Sequence, residues 1–97
     1  MIHEVARFRV QPADHAAFGQ ALARGVETVL SKAAGYRSHQ ILGCIEVPGD
    51  WLLQVQWETL EAHTVGFRES PAFAEWRAII GPYFAQPPEV WHYQAQA

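Results

Sequence analysis

The run Trp51–Trp57, WLLQVQW, restricts the chain more than any other segment. Trp51, Leu53, Val55 and Trp57 recur at period two on one side, with Leu52, Gln54, Gln56 and Glu58 on the other. That alternation predicts a strand with one aromatic, aliphatic face that another layer must cover. The covering layer follows directly in sequence. The strand is expected to stop at Glu58-Thr59, with Thr59 as an N-cap for a short helical segment that carries Leu60, His63 and Phe67. Ser70-Pro71 then reads as the start of a second helix, Ser70 capping it and Pro71 taking the first helical position, where a missing N–H is harmless. Phe73, Trp76 and Ile80 fall on one face of that helix, and Gly81-Pro82 ends it. An aromatic strand face against an aromatic helix face, with His63, Arg77 and Tyr83 close by, predicts a pocket at the junction.

The remainder of the chain supplies the other elements. Residues 2–10 read as a first strand with Ile2, Ala6, Phe8 and Val10 on one side and His3, Val5, Arg7 and Arg9 on the other. Pro12 to Asp14 turns into a helix whose apolar positions Phe18, Leu22, Val26, Val29 and Ala33 carry it through Lys32, with Gly35 closing it. Tyr36 to Val47 is expected to be a long second strand, bulged near Gly43. Pro48-Gly49-Asp50 makes the hairpin turn into the third strand. Gln86-Pro87-Pro88 links to a last strand, Glu89 to Tyr93, and Gln94 to Ala97 reads as a frayed tail. The order strand, helix, strand, strand, helix, strand is the split βαβ pattern of a ferredoxin-like α+β sandwich. It predicts one domain over residues 1–97, a four-stranded antiparallel sheet with both helices on one face.

Such a sheet leaves its other face bare, and composition bears on what covers it. Apolar residues make up 49% of the 97, four of them Trp, an excess over what so short a chain hides by itself. Ile41, Ile45, Val47, Leu52 and Val5 are the candidates for the bare face, and a homodimer through the sheet faces is the expectation. A net charge of −3 without a Lys and Arg cluster gives nucleic acid no footing. No run approaches the roughly 20 apolar residues of a membrane span, and no leader pattern opens the chain, so a cytoplasmic protein is expected. Cys44 stands alone, without a CxxC partner or a neighbouring His, and suits neither a disulfide nor a nucleophile. His3, His39 and His92 lie on strands, in places that suit either a pocket or the dimer seam, without the spacing of a metal motif.

Five short stretches then align with a known family. They are W-E-x-x-E-A-H from Trp57 to His63, F-R-x-S-P-x-F from Phe67 to Phe73, Trp76-Arg77, P-x-F from Pro82 to Phe84, and P-P-E-V from Pro87 to Val90. Together with the opening ARFRVQPADHAAF they resemble the antibiotic biosynthesis monooxygenase family of the dimeric α+β barrel superfamily. The resemblance implies that fold, a dimer, and a pocket between sheet and helices. It includes cofactor-free oxygenases of phenolic or anthrone-like substrates, quinol oxygenases and haem-degrading enzymes. In the quinone-forming members an Asn and a Trp on the third strand, a Tyr on the following helix and an Arg on the last helix line the pocket. Those places fall here on Leu53, Trp57, His63 and Arg77, so two residue types are kept, and the chain has no Asn at all. The haem-degrading pattern would place its groups at Ala6, at Gly66 or Phe67, and at Trp76, where none of the required types stands.

The resemblance therefore implies a monooxygenase without cofactor or metal, acting on a small phenol, hydroquinone or anthrone. His63 would take the substrate proton, Arg77 would hold the oxyanion, and Trp57 and Trp76 would stack on the ring, with Leu53, Phe67, Phe73 and Tyr83 completing the wall. Other readings stay open. Trp57 and Trp76 equally suit a core, and Arg77, about 100° around the helix from Trp76, equally suits a solvated surface. A non-catalytic binder of small apolar molecules, or a cofactor-free isomerase of the same superfamily, would use the same pocket.

Overall fold

The computed structural model describes all 97 residues. Four strands, β1 (Ile2–Arg9), β2 (Tyr36–Gly43), β3 (Asp50–Trp57) and β4 (Glu89–Gln94), form one sheet in the order β2-β3-β1-β4 with every neighbouring pair antiparallel. Two helices, α1 (His15–Thr28) and α2 (Pro71–Ile80), cover one face. This is the ferredoxin-like α+β arrangement expected from the element order. No helix is long and apolar enough to cross a membrane.

The alternation in β3 does what its pattern requires. Leu53, Val55 and Trp57 are buried with Phe18, Leu22 and Val26 of α1 and Trp76 and Ile80 of α2. Trp51, at the start of the strand, is half-buried and stacks on His15 with ring centroids 4.6 Å apart. Register fixes the site: Glu4 of β1 lies opposite Val55 of β3 and His92 of β4. Partners in register share a face, so Glu4 points into the helix layer with Ala6 and Phe8. It is 5% exposed.

Several local expectations need correction. The first helix ends at Thr28 rather than Lys32, because Val29 leaves helical geometry (φ −124°) and Leu30–Lys32 close as a 3₁₀ turn. β2 ends at Gly43 rather than Val47, and its irregularity lies between Tyr36 and Ser38, not at Gly43. Gly43 is instead a packing glycine: a Cβ there would come within 2.9 Å of the Trp51 ring. Ile41 pairs with Leu53 and packs on the core, so it does not belong to the bare face. Ile45 and Val47 lie in the exposed hairpin loop. The face away from the helices carries Val5, Leu42, Leu52, Trp91 and Tyr93 instead. Ser70 caps α2 through its carbonyl oxygen, which accepts from the Phe73 N–H, while its hydroxyl donates back to the Phe67 carbonyl at 2.7 Å. Gln94 is paired with Ile2 and is strand rather than tail.

The hairpin turn depends on one residue. Gly49 has φ +90°, its carbonyl accepts from Val10 N–H at 2.8 Å, and a Cβ there would run into the Val10 carbonyl oxygen. Gly49→Ala is therefore expected to cost about 1–3 kcal/mol and to lower Tm by several degrees. Thermal unfolding followed by circular dichroism checks this, and an unchanged Tm would contradict the steric account.

Candidate active site

Between β3 and α2 the chain makes a short helical passage whose last six residues, Ala62–Phe67, wind as a π-helix. Thr59 starts it as expected, its hydroxyl accepting from the Ala62 N–H at 3.1 Å. The Arg68 N–H reaches back five residues to the His63 carbonyl at 3.1 Å. Wide turns of this kind are uncommon and concentrate at functional sites. Here the turn buries both His63 and Phe67. Gly35 sets its position: with φ +87° it brings the chain so near that a Cβ would lie 2.5 Å from that of Ala62.

His63 meets a buried polar chain. Its ring stacks on Trp57 with centroids 5.0 Å apart and planes 18° from parallel. The Trp57 Nε1–H donates to Glu4 Oε1 at 2.9 Å, and His63 Nε2 lies 3.4 Å from the same oxygen. His63 Nδ1 is 2.7 Å from His92 Nε2, one of the two nitrogens donating. Four side chains from β1, β3, the π-helical turn and β4 thus form a line: Trp57, Glu4, His63, His92. No group of three or more His, Cys, Asp or Glu side chains is set to hold a metal ion.

Burial governs the charges in this line. It pushes the Glu4 carboxyl from 4.5 up to about 7, against the opposing pull of the Trp57 hydrogen bond and the Arg68 charge. It also drives His63 down to about 3, with repulsion from Arg68 and then from His92 adding to the effect. His92 is lowered by burial and by Arg68. Near pH 7 Glu4 is therefore divided between carboxyl and carboxylate beside a neutral imidazole, and the contact is not an ion pair. Stripping both ions of water costs more than their attraction at 3.4 Å returns.

A cavity of about 240 Å³ opens beside this line, walled by Glu4, His63, Ala6, Phe8, Phe73, Trp76, Ile80, Phe84, Pro88 and Val90, with Arg68 and Arg77 at its edge. The Arg77 guanidinium lies 5.4 Å from the Phe84 ring centroid and 5.9 Å from that of Phe73, an arrangement that aims a cation at the cavity by its aromatic contacts. Neither Arg68 nor Arg77 takes part in the ion pairs of the structure, which use Arg7, Arg9, Arg37 and His63. The cavity thus combines apolar walls, one titratable carboxyl and two cations free for an anion.

The expected site residues divide into two groups. His63, Arg77, Phe73 and Trp76 come together on the cavity wall. Trp57 is fully buried behind it and touches the site through Glu4 and His63. Leu53, Phe67 and Tyr83 do not line the cavity: Leu53 and Phe67 are core, and Tyr83 packs edge-on against Phe18, ring centroids 5.8 Å apart. Glu4, Arg68, Phe84 and His92 were not among the expected site residues. Glu4 had a usable signal, a lone carboxylate on the same parity as Ile2, Ala6 and Phe8. His92 was legible only as a strand histidine suited to a pocket or a dimer seam, because its approach to His63 depends on how β4 pairs with β1.

A ferredoxin-like domain with a partly open cavity, lined by apolar side chains and a titratable carboxyl, between its sheet and helix α2 is the class that fold and site define. The sequence profile of the antibiotic biosynthesis monooxygenases matches residues 1–79, and the chain belongs to that family. YczJ, an uncharacterized protein of Bacillus subtilis (strain 168), is 35% identical over 94 residues, covering 97% of this chain and 98% of YczJ. A crystal structure from Bordetella bronchiseptica bearing the same family designation is 38% identical, with a TM-score of 0.90 over 99% of this chain and 97% of that one. A monooxygenase from the gene ActVA-Orf6 of Streptomyces coelicolor, solved in complex with the ligand Nanaomycin D, superimposes with a TM-score of 0.83 at 22% identity, covering 99% of this chain and 88% of that one. At that identity the likeness speaks for the fold alone.

The raised Glu4 pKa carries a stability consequence. The folded protein keeps a proton that the unfolded chain releases, so this group's stabilisation is fully present below about pH 4.5 and is lost as pH rises through about 7. Glu4→Gln keeps an acceptor for Trp57 but cannot ionise. Its advantage in unfolding free energy over the parent should grow from near zero below about pH 4.5 to as much as about 3 kcal/mol above pH 7. The depressed His63 pKa works in the opposite sense, losing stability as pH falls from 6.5 towards 3, but it is common to both proteins and cancels in the difference. Denaturant unfolding at a series of pH values measures that difference, and a constant offset would contradict the burial argument.

Proposed function

We propose that the 97-residue domain is a cofactor-independent monooxygenase that oxidises a small phenol or hydroquinone in the cavity beside Glu4. The observation that carries this reading is the pairing, across one apolar cavity, of a carboxyl poised near neutrality with an unpaired guanidinium. Electron-rich phenolates pass an electron to molecular oxygen without metal or flavin, so the protein has to deprotonate, hold the anion and exclude water. Glu4 as carboxylate accepts the substrate O–H proton. It takes over the role expected for His63, since an imidazole held near 3 is too weak a base at neutral pH. Arg77, with Arg68 beside it, stabilises the phenolate oxygen, and Phe73, Trp76 and Phe84 present ring faces and edges to the substrate. Trp57 positions Glu4 by its hydrogen bond.

The atoms balance. The phenolate gives one electron to oxygen, the two radicals join at a ring carbon as a hydroperoxide, and loss of water leaves a carbonyl there. One oxygen atom ends in the quinone and the other in water; the substrate loses its O–H and one ring C–H hydrogen, and the two hydrogens of that water balance them in number, by exchange with solvent protons. A volume of about 240 Å³ is below the roughly 300–1,000 Å³ of pockets for drug-sized ligands and favours one or two rings over a three-ring anthrone. Membership of the antibiotic biosynthesis monooxygenase family supports the reaction class. A passive carrier of apolar molecules would have no use for a carboxyl in that wall.

Oxygen uptake with a panel of phenols and hydroquinones tests this. The parent should consume oxygen, Glu4→Gln should lower turnover by about 10²–10⁴-fold, and Arg77→Ala by about 10²–10³-fold. No uptake by the parent would remove the reading for those substrates. Uptake unchanged in both variants would take Glu4 and Arg77 out of the chemistry.

We further propose that two copies associate through the open sheet face. In support, that face exposes Leu42, Trp91 and Tyr93 at 38%, 64% and 56%, an apolar patch of the kind that marks an interaction surface. Light scattering should give twice the chain mass at micromolar concentration, and Trp91→Glu should shift it towards the single chain. A parent that scatters as one chain would refute the dimer.

A further inference from the structure

We propose that Glu4, His63 and His92 form a relay that carries the proton taken in the cavity out to solvent at the β4 edge. Three observations carry this. Glu4 is 5% exposed and reaches solvent only by way of the cavity it lines, so a substrate seated there covers that route for a proton it accepts. His63, itself 4% exposed, spends both ring nitrogens in the line, one 3.4 Å from Glu4 Oε1 and the other 2.7 Å from His92 Nε2. His92 is only half-buried and stands on an edge strand, since β4 has β1 as its single neighbour. A ring with each nitrogen facing a different partner transfers protons by exchanging tautomers and never needs to carry a charge.

The two end states can be written down. With Glu4 protonated, its O–H donates to His63 Nε2, and His63 Nδ1–H donates to His92 Nε2. The His92 Nδ1–H is the outer end. When Glu4 gives up its proton, a new N–H forms at His63 Nε2, the Nδ1 proton passes to His92 Nε2, and the His92 Nδ1 proton leaves to water. One proton is lost overall, both rings stay neutral, and no electron is transferred. The longer link, 3.4 Å, closes with a movement of a few tenths of an ångström. Trp57 donates to Glu4 Oε1 in both states and fixes that end. The other charged groups facing the line are Arg68, from the chain just after the π-helical turn, and Arg77 of α2. Both stay cationic throughout and oppose a charged imidazole, which favours the neutral exchange.

This relay rests on the acid–base role proposed for Glu4, but its test does not need a substrate. Histidine-selective ¹⁵N NMR reads the tautomer of each ring as pH is raised. The expected result is that His63 and His92 change tautomer together, without becoming charged, around the Glu4 pKa near pH 7. Glu4→Gln should lose that change in both rings. One fixed His63 tautomer across the range, a His92 change out of step with it, or persistence of the change in Glu4→Gln would each overturn the relay. Should Glu4→Gln fail to fold, the titration of the parent alone still decides. If the protein consumes oxygen, His92→Phe should slow turnover and enlarge its solvent isotope effect, and added imidazole should reverse both. Activity unaffected by His92→Phe would overturn the relay while leaving the oxygenase reading in place.

Discussion

The hydrogen bond from the Trp57 indole to the Glu4 carboxyl is the interaction on which the rest of the site depends. It spans two neighbouring strands and gives a desolvated carboxyl one strong donor, enough to hold its position and too little to keep it ionised. A surface carboxylate would titrate near 4.5 and stay charged throughout the neutral range. Buried under the indole and beside an imidazole, the same group changes protonation near neutrality. Burial of a kind that a purely structural core avoids gives this carboxyl a pKa near neutrality.

His63 reaches that carboxyl through backbone geometry. A regular α-helical turn after β3 would return His63 and Phe67 to the same face at a tighter pitch. The π-helical winding, closed by the Arg68 N–H on the His63 carbonyl, widens the turn, and the imidazole lies flat on Trp57 while Phe67 reaches Trp76. Gly35 permits this from the other side by letting the start of β2 close on Ala62. The second motif residue, Arg77, is held differently. Its guanidinium rests between the rings of Phe73 and Phe84, so helix α2 and the chain after it aim the cation jointly.

The sequence made the layers legible and left the site half hidden, for a physical reason. Alternation in Trp51–Trp57 and the apolar spacing of Phe18, Leu22 and Val26 are local periodicities, readable one segment at a time. Element ends were less so, because Val29 and Gly43 respond to contacts from other segments, Gly43 to the Trp51 ring above all. His63 and Arg77 were legible as polar groups beside aromatic faces. Parity alone puts Glu4 on the buried face, whereas the place of His92 beside His63 required the β1–β4 register, a long-range pairing that no local pattern encodes. The motif residues Trp57 and Phe67 proved to be support and core, which is the more frequent lot of large aromatics in a small domain.

A choice between an enzyme and a passive binder turns on what the buried carboxyl costs. Moving Glu4 from 4.5 to about 7 removes about 3 kcal/mol of stability at alkaline pH, a large share of the roughly 5–15 kcal/mol that holds a domain together. Gln at that position would accept the same indole hydrogen bond without the penalty, and Leu would extend the apolar wall. A pocket that only shelters an oily molecule gains nothing from the carboxyl, whereas one that must remove a proton in an apolar cavity needs a group of this kind. Local rules broken at a cost, in a cavity and beside unpaired cations, are where chemistry is to be sought.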